Sequence, residues 1–197
     1  MLTRVVIIRH GETDWSKSGR YTGRTDLPLS RQGEVNAGLL APSMAQLGIT
    51  SVFTSPRLRA RMTCEWAGLG ARAQIEPDLA EWDYGDYEGL LSKEILGRNP
   101  GWKLFRDGCP GGESPQQVSA RADRAIARLR ALEGVSAVFS HGHFSRSFAA
   151  RWIGQDIRLG ERLILGTASL GFLSFEHGDP ETPSIELWNA DPSRFPR

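Results

Sequence analysis

Two rhythms of apolar and polar residues run along the chain. Val5 to Ile8 is an unbroken apolar, mostly β-branched run between Arg4 and Arg9, which predicts a buried strand. From residue 30 to 47 the spacing becomes helical. Val35, Leu39, Leu40, Met44 and Leu47 fall near one face, Ser30 can cap the start and Gly48 can end the helix. Pro42 lies inside that stretch and predicts a kink or two separate pieces. Residues 49–53 read as a second strand. Ser55 and Pro56 then predict an N-cap with proline at the first helical position, and Leu58, Met62, Trp66 and Leu69 an apolar stripe.

Periodicity fails from 76 to 113, where Trp, Tyr, Gly and Pro accumulate, as in a long, lid-like insertion. It returns at Ser114-Pro115-Gln116-Gln117, a capping-box pattern ahead of Val118, Ala122, Ile126, Leu129 and Leu132 on one helical side. Residues 135–140 predict a further strand, followed by His141-Gly142-His143 and an amphipathic helix through Phe148 and Trp152. "LGFLSF" and "SIELW", joined across His177 to Pro180, predict two antiparallel strands, with His177 a turn residue. Such alternation of strand and helix predicts an α/β three-layer sandwich with a largely parallel central sheet flanked by helices. With no internal repeat, low-complexity tract or linker, residues 1–197 read as one domain.

Composition narrows the function. A net charge of +1 over 197 residues gives no support to a nucleic-acid or membrane-surface partner. Cys64 and Cys109 are far apart and suit reduced thiols in a cytoplasmic protein. The apolar run in "MLTRVVIIRH" is too short for a signal peptide or membrane anchor. Six Trp and scattered apolar residues allow a homodimer without demanding one.

Three strand ends share a habit. The first ends in Arg9-His10-Gly11, the second in Thr54-Ser55-Pro56 before Arg57, Arg59 and Arg61, and the third in His141-Gly142-His143. Sites in open α/β sheets form beyond the carboxyl ends of strands. Converging there, two imidazoles, several guanidiniums and the amides of two helix N-termini would suit a phosphate. A neutral imidazole can attack phosphorus, guanidiniums can hold the non-bridging oxygens, and a nearby carboxylic acid can protonate the leaving alkoxide. Glu81, Asp83, Asp86 and Glu88 are the candidates for that acid. Two of the three arginines at 57, 59 and 61 read as solvated helix residues, with 57 and 61 on one face and 59 elsewhere. His141 and His143 could also be read as a metal pair, but no Cys or carboxylate cluster accompanies them, so neither a metal nor any other cofactor is expected.

"RHGETDW" at 9–15, "TSPRLRARMT" at 54–63, "EWDYGDYEG" at 81–89 and "SHGHFSR" at 140–146 resemble, in order and spacing, the histidine phosphatase superfamily, which includes cofactor-dependent phosphoglycerate mutase. The resemblance spans residues 4 to 175 and implies a phosphoglycerate-mutase-like fold. It makes His10 the phosphorylated nucleophile, Arg9 and Arg59 phosphate ligands, Glu81 the general acid/base and His141 the second pocket histidine. Tyr21, Thr22 and Gly23 match a segment near the substrate, with Arg24, Ser16 and Gly142 further candidates there. Two departures stand out. Ser16 follows Trp15 where mutases carry Asn, and the insertion offers only Lys103 and Arg106 where mutases place paired arginines. The resemblance thus favours a metal-independent phosphomonoesterase acting on a small phosphorylated metabolite, close to the branch containing sedoheptulose-1,7-bisphosphatase and acid phosphatases. The alternatives are a phosphoglycerate mutase and a non-catalytic phospholigand-binding module.

Overall fold

The structure is a computed structural model that describes residues 3–192. In chain order its elements are β1 (Arg4–Arg9), α1 (Asp14–Ser18), α2 (Arg31–Gly38), α3 (Ala41–Gln46), β2 (Ile49–Thr54), α4 (Leu58–Trp66), β3 (Gln74–Ile75), α5 (Ser92–Arg98), α6 (Leu104–Asp107), α7 (Pro115–Arg130), β4 (Val135–Ser140), α8 (Gly142–Trp152), β5 (Leu170–Phe175) and β6 (Pro183–Ala190). The strands form one six-stranded sheet in the order β3-β2-β4-β1-β5-β6. The pairs β3–β2, β2–β4 and β4–β1 are parallel, while β5 and β6 close one edge antiparallel.

Alternation along β1 shows why three layers form. Val5 and Ile7 face a core made with Val118, Ala122 and Leu129 of α7 and Phe144 and Phe148 of α8. Val6 and Ile8 face the opposite core with Leu40, Met44 and Cys64 beneath α3 and α4. Successive strand side chains point to opposite faces, so a continuous apolar run is what a doubly covered strand requires. The α/β sandwich is as the pattern predicts. The segment 76–113 packs inward: Leu79, Trp82, Tyr84, Tyr87, Ile95, Trp102, Leu104 and Phe105 all belong to the α7–α8 side of the core.

Pro42 separates two helices, α2 and α3, and sits in the first turn of the second, where its missing N–H costs nothing. Ser30 caps α2 by accepting from the Gly33 N–H at 3.0 Å, and Ser114 and Gln117 make the expected capping box of α7. Two helix-face expectations fail. Val35 is 54% exposed, and Trp66 of the expected α4 stripe is 49% exposed. The buried face of α4 instead carries Arg59, Ala60, Thr63 and Cys64, continuing to Ala67. That set keeps the same three-and-four spacing. Its small side chains fit the helix against β2 and β4 while turning Arg59 inward. Ser55 does not cap α4 either. The helix starts two residues later, after Arg57, and the Leu58 N–H donates to Asp26 Oδ1 at 2.7 Å.

Register brings three strand ends together. Arg9 lies opposite Ser140, and Phe139 lies opposite both Ile8 and Thr54. The pairing runs one residue further on each side, with His10 N–H donating to Ser140 O and Ser55 N–H to Phe139 O, both at 2.9 Å. Beyond β1 the chain turns tightly against α2. A Cβ on Gly11 would lie 2.6 Å from Gly33 O, and one on Gly33 would lie 2.1 Å from Glu12 O. Backbone is packed on backbone there, so neither glycine has a substitute. Gly33→Ala is therefore expected to lower stability by about 1–3 kcal/mol through overpacking. Gly38→Ala, with nothing within 4 Å of its Cβ, should leave it unchanged or raise it. Thermal melts of the two variants check this, and an unchanged melting temperature for Gly33→Ala would contradict the packing argument.

Candidate active site

Beyond the sheet edge lies a pocket of about 260 Å³ whose wall includes Arg9, His10, Tyr21, Glu81, Tyr84, Gly142, His143 and Arg146. His10 is only 5% exposed. Its Nδ1 lies 2.7 Å from Gly11 O. A carbonyl only accepts, so Nδ1 carries the proton and Nε2 keeps its lone pair in the neutral ring. Burial holds the His10 pKa well below the ordinary histidine value, and the charges of Arg59 and Arg9 lower it further. The Gly11 N–H, next along, donates to Thr63 Oγ1, whose hydroxyl donates to Arg59 O, so α4 holds the turn that presents His10.

Arg59 is fully buried beside this pocket. It donates to Thr25 O, Thr22 O and Gly23 O at 2.9–3.1 Å. On the other side of the same loop, the Gly23 and Thr25 N–H groups donate to Glu88. Arg9 donates from Nη1 to Leu165 O at 2.6 Å. Burial lowers the pKa of both guanidiniums, with Glu81 opposing the shift. The Nε atoms of both arginines are buried without a hydrogen-bond partner among the described residues.

His141 is also fully buried, its ring centroid 5.2 Å from that of His10. Ser55 Oγ accepts from the Arg57 N–H and lies 2.7 Å from His141 Nε2. No other acceptor among the described residues takes the Ser55 proton, so the hydroxyl donates to Nε2 and leaves His141 with an Nδ1–H. That Nδ1 is buried with no hydrogen-bond partner among the described residues. Burial, Arg59 and His10 keep its pKa well below the ordinary histidine value. Two neutral histidines thus stand side by side in the same Nδ1–H tautomer, His10 offering a lone pair at Nε2 and His141 a hydrogen at Nδ1.

Glu81 reaches the pocket wall from the segment after β3 and is held at the N-terminus of α8. Its Oε1 accepts from the Trp82 and Phe144 N–H groups at 2.9 and 2.8 Å, and its Oε2 from the His143 N–H at 3.1 Å. Arg121 of α7 fixes the segment from behind by donating to Asp78 O, Ala80 O and both Glu113 carboxylate oxygens. The amides at the starts of α8 and α4, expected to face phosphate, are therefore partly taken by Glu81 and Asp26.

The remaining sequence candidates separate. Arg9, His10, Ser16, Tyr21, Thr22, Glu81 and Gly142 line the pocket, while Arg59 and His141 lie buried beside His10. The Ser16 hydroxyl donates to Thr13 O and accepts from the Thr13 N–H, so it serves the capping box of α1. Gly23 sits behind the wall, where a Cβ would meet Trp82 O at 2.5 Å. Arg24 points to the surface and pairs with Asp83 at 2.8 Å. Lys103 pairs with Glu161 and Arg106 with Asp107, both away from the pocket. The pattern missed Arg20, Tyr84 and Arg146 on the wall. It noted His143 only as half of a metal pair. No group of three or more His, Cys, Asp or Glu placed to hold a metal occurs among the described residues.

The three shifted histidines bear on stability. Each stays neutral in the fold below the pH where the unfolded chain takes up its proton, so the unfolded state binds more protons and stability falls as pH drops through about 6.5. Between pH 7.5 and 5.5 each histidine removes up to about 1.4 kcal/mol. Urea midpoints at the two pH values test this: a clear fall at pH 5.5 is expected, and equal midpoints would contradict neutral buried histidines.

Comparison with known proteins agrees with the geometry. Residues 5–191 match the Histidine phosphatase superfamily (branch 1). An acid phosphatase of Mycobacterium tuberculosis is 42% identical over 181 residues, covering 89% of this chain and 88% of the relative. The sedoheptulose 1,7-bisphosphatase of Saccharomyces cerevisiae is 42% identical over 187 residues, covering 79% of this chain and 69% of the relative. A solved structure of an open reading frame from Mycobacterium tuberculosis superposes with a TM-score of 0.89 at 37% identity, covering 96% of this chain and 98% of the other. Among the described residues no helix is long and apolar enough to cross a membrane. With nearly its whole length matched and its three strand ends gathered around His10, the chain belongs to the histidine phosphatase superfamily, and it is a phosphatase.

Proposed function

We propose that this enzyme hydrolyses small phosphorylated metabolites, sugar phosphates or phosphoglycerate-like acids, through a phosphohistidine formed at His10 Nε2. The observation that carries the reading is the Nδ1–H of His10 on Gly11 O, which commits a neutral ring to presenting its Nε2 lone pair. Nε2 attacks phosphorus as the bond to the leaving oxygen breaks, splitting one hard displacement into two easier ones. Arg9, Arg59 and the His141 Nδ1–H supply fixed positive charge and donors for the phosphoryl oxygens, Arg59 and His141 fully buried and Arg9 half-buried on the pocket wall. Glu81 gives its proton to the leaving alkoxide. Oε1 already accepts two N–H groups and Oε2 one, so the spare lone pair for that proton is on Oε2. In the second step water attacks phosphorus and passes a proton to Glu81, the P–N bond breaks, and phosphate leaves a regenerated His10.

The pocket volume suits a small substrate. The relative named sedoheptulose 1,7-bisphosphatase supports a sugar phosphate. Lys103 and Arg106 are neutralised in ion pairs off the pocket, which favours water over a second phosphorylated molecule as acceptor. The segment 76–113 lends Glu81, Tyr84 and Ser92 to the pocket wall as part of the same domain. The cytoplasm, where such metabolites and reduced thiols occur, is its proposed location. Cys64 and Cys109 are free and buried, and burial pushes both thiols up to about 12.

Phosphate release by EDTA-treated protein from an aryl phosphate, sedoheptulose and fructose bisphosphates and 3-phosphoglycerate tests the proposal. Release that survives chelation, and falls on the order of a thousand-fold or more in His10→Ala, is expected. Isomerisation of 3- to 2-phosphoglycerate without release would make it a mutase, and neither activity a binding module.

A further inference from the structure

His143 sits within an aromatic box. Tyr21 stacks on its ring with centroids 5.6 Å apart and an interplanar angle of 13°, while Tyr84 and Phe105 meet it edge-on at 5.8 and 5.7 Å. Its Nδ1 lies 2.6 Å from Tyr84 Oη. Its Nε2 makes no hydrogen bond to the described residues, is not sealed from solvent, and belongs to a side chain on the pocket wall.

Tyr84 decides which ring nitrogen carries the hydrogen. Its side chain is buried and its hydroxyl touches no acceptor among the described residues other than His143 Nδ1. Were Nδ1 the donor, the tyrosine O–H would be left with no acceptor among the described residues, and such an unmet buried donor costs about 1–3 kcal/mol. Burial, with Glu81 nearby, pushes the Tyr84 pKa well above its ordinary value, so the phenol keeps its proton. Burial and the charges of Arg146 and Arg9 keep His143 neutral. The position of His143 is informative too. Its backbone N–H binds Glu81 Oε2, and Arg146, one turn further along α8, is fixed on Gly160 O and Glu161 O at the same wall.

We infer that Tyr84 is a positioning residue that locks His143 in its Nε2–H tautomer, and that this N–H selects substrates whose leaving group carries an oxygen acceptor close to the scissile bond. The second half rests on the proposed role of Glu81, because an acid serving the leaving oxygen places the neighbouring His143 ring on the leaving-group side. A hydroxyl or carboxylate of a sugar or hydroxy-acid leaving group meets the N–H; a plain aryl leaving group has none to offer.

Two readouts test the halves separately. Long-range ¹⁵N–¹H correlation spectra of the resting protein should show His143 protonated at Nε2 alone, and Tyr84→Phe should admit the other tautomer. Protonation at Nδ1 in the native protein, or an unchanged tautomer in Tyr84→Phe, overturns the positioning role, whatever the fate of the phosphohistidine reading. In kinetics, His143→Leu should lower the ratio of sugar-phosphate to aryl-phosphate kcat/KM by about three- to ten-fold, the worth of one hydrogen bond. His143→Gln, which keeps an N–H in the place of Nε2, should restore most of the ratio. An equal loss on both substrates in His143→Leu, or no rescue by Gln, overturns selection by the N–H. The native spectrum and the His143 pair keep both halves testable if Tyr84→Phe does not fold.

Discussion

The site depends on a positive charge buried with no carboxylate partner among the described residues. Arg59 has no solvent exposure, and its guanidinium is met by three backbone carbonyls of residues 22–25. Hydrogen bonds to a charged group are worth about 1.5–3 kcal/mol each, enough to hold the side chain in place while leaving its charge uncancelled. A paired carboxylate would have neutralised the field that Arg59 exerts on His10 and His141. Carbonyl dipoles let it persist. The charge that can grip a phosphate therefore also adds to burial in keeping the adjacent histidines neutral.

Everything nearby serves that arrangement. Glu88 holds the other side of the 22–25 loop, Thr63 ties the His10 turn to α4, and Arg121 fixes the backbone that carries Glu81. The sheet supplies register, with the ends of β1, β2 and β4 aligned within a residue of one another. Hydroxyl groups supply protonation. Ser55 and Tyr84 each pair with one histidine nitrogen and so determine what the other nitrogen offers. Rigid elements position the groups, and local hydrogen bonds determine their chemistry.

Much of this was legible in the sequence because strands and strand ends have local signatures. The β-branched run of β1, the capping box of α7 and the break at Pro42 each follow from a few neighbouring residues. The face of α4 was not legible. Leu58, Met62 and Trp66 compete with Ala60, Thr63 and Cys64 at the same helical spacing, and close packing on the sheet favours the smaller set. Segment 76–113 lacks periodicity because its aromatics pack from turns and short helices. By residue type alone the four acidic residues there are equivalent; the family resemblance singled out Glu81, and the fold separates it on the pocket wall from Glu88 under a loop and Asp83 on Arg24. Tyr84, Arg121 and Arg146 escape a sequence reading for the same reason. Their roles come from partners 14 to 59 residues away.

The central claim is that His10 attacks through Nε2 because its Nδ1–H is committed to Gly11 O. The most direct measurement is to quench a turning-over sample under alkaline conditions, map the phosphorylated residue by peptide mass spectrometry and assign the nitrogen by ³¹P NMR against authentic phosphohistidine isomers. The account predicts one phosphoryl group per chain, on His10 at Nε2. Phosphate on Nδ1, on another residue, or no covalent intermediate under conditions where a phosphoenzyme would accumulate would contradict it.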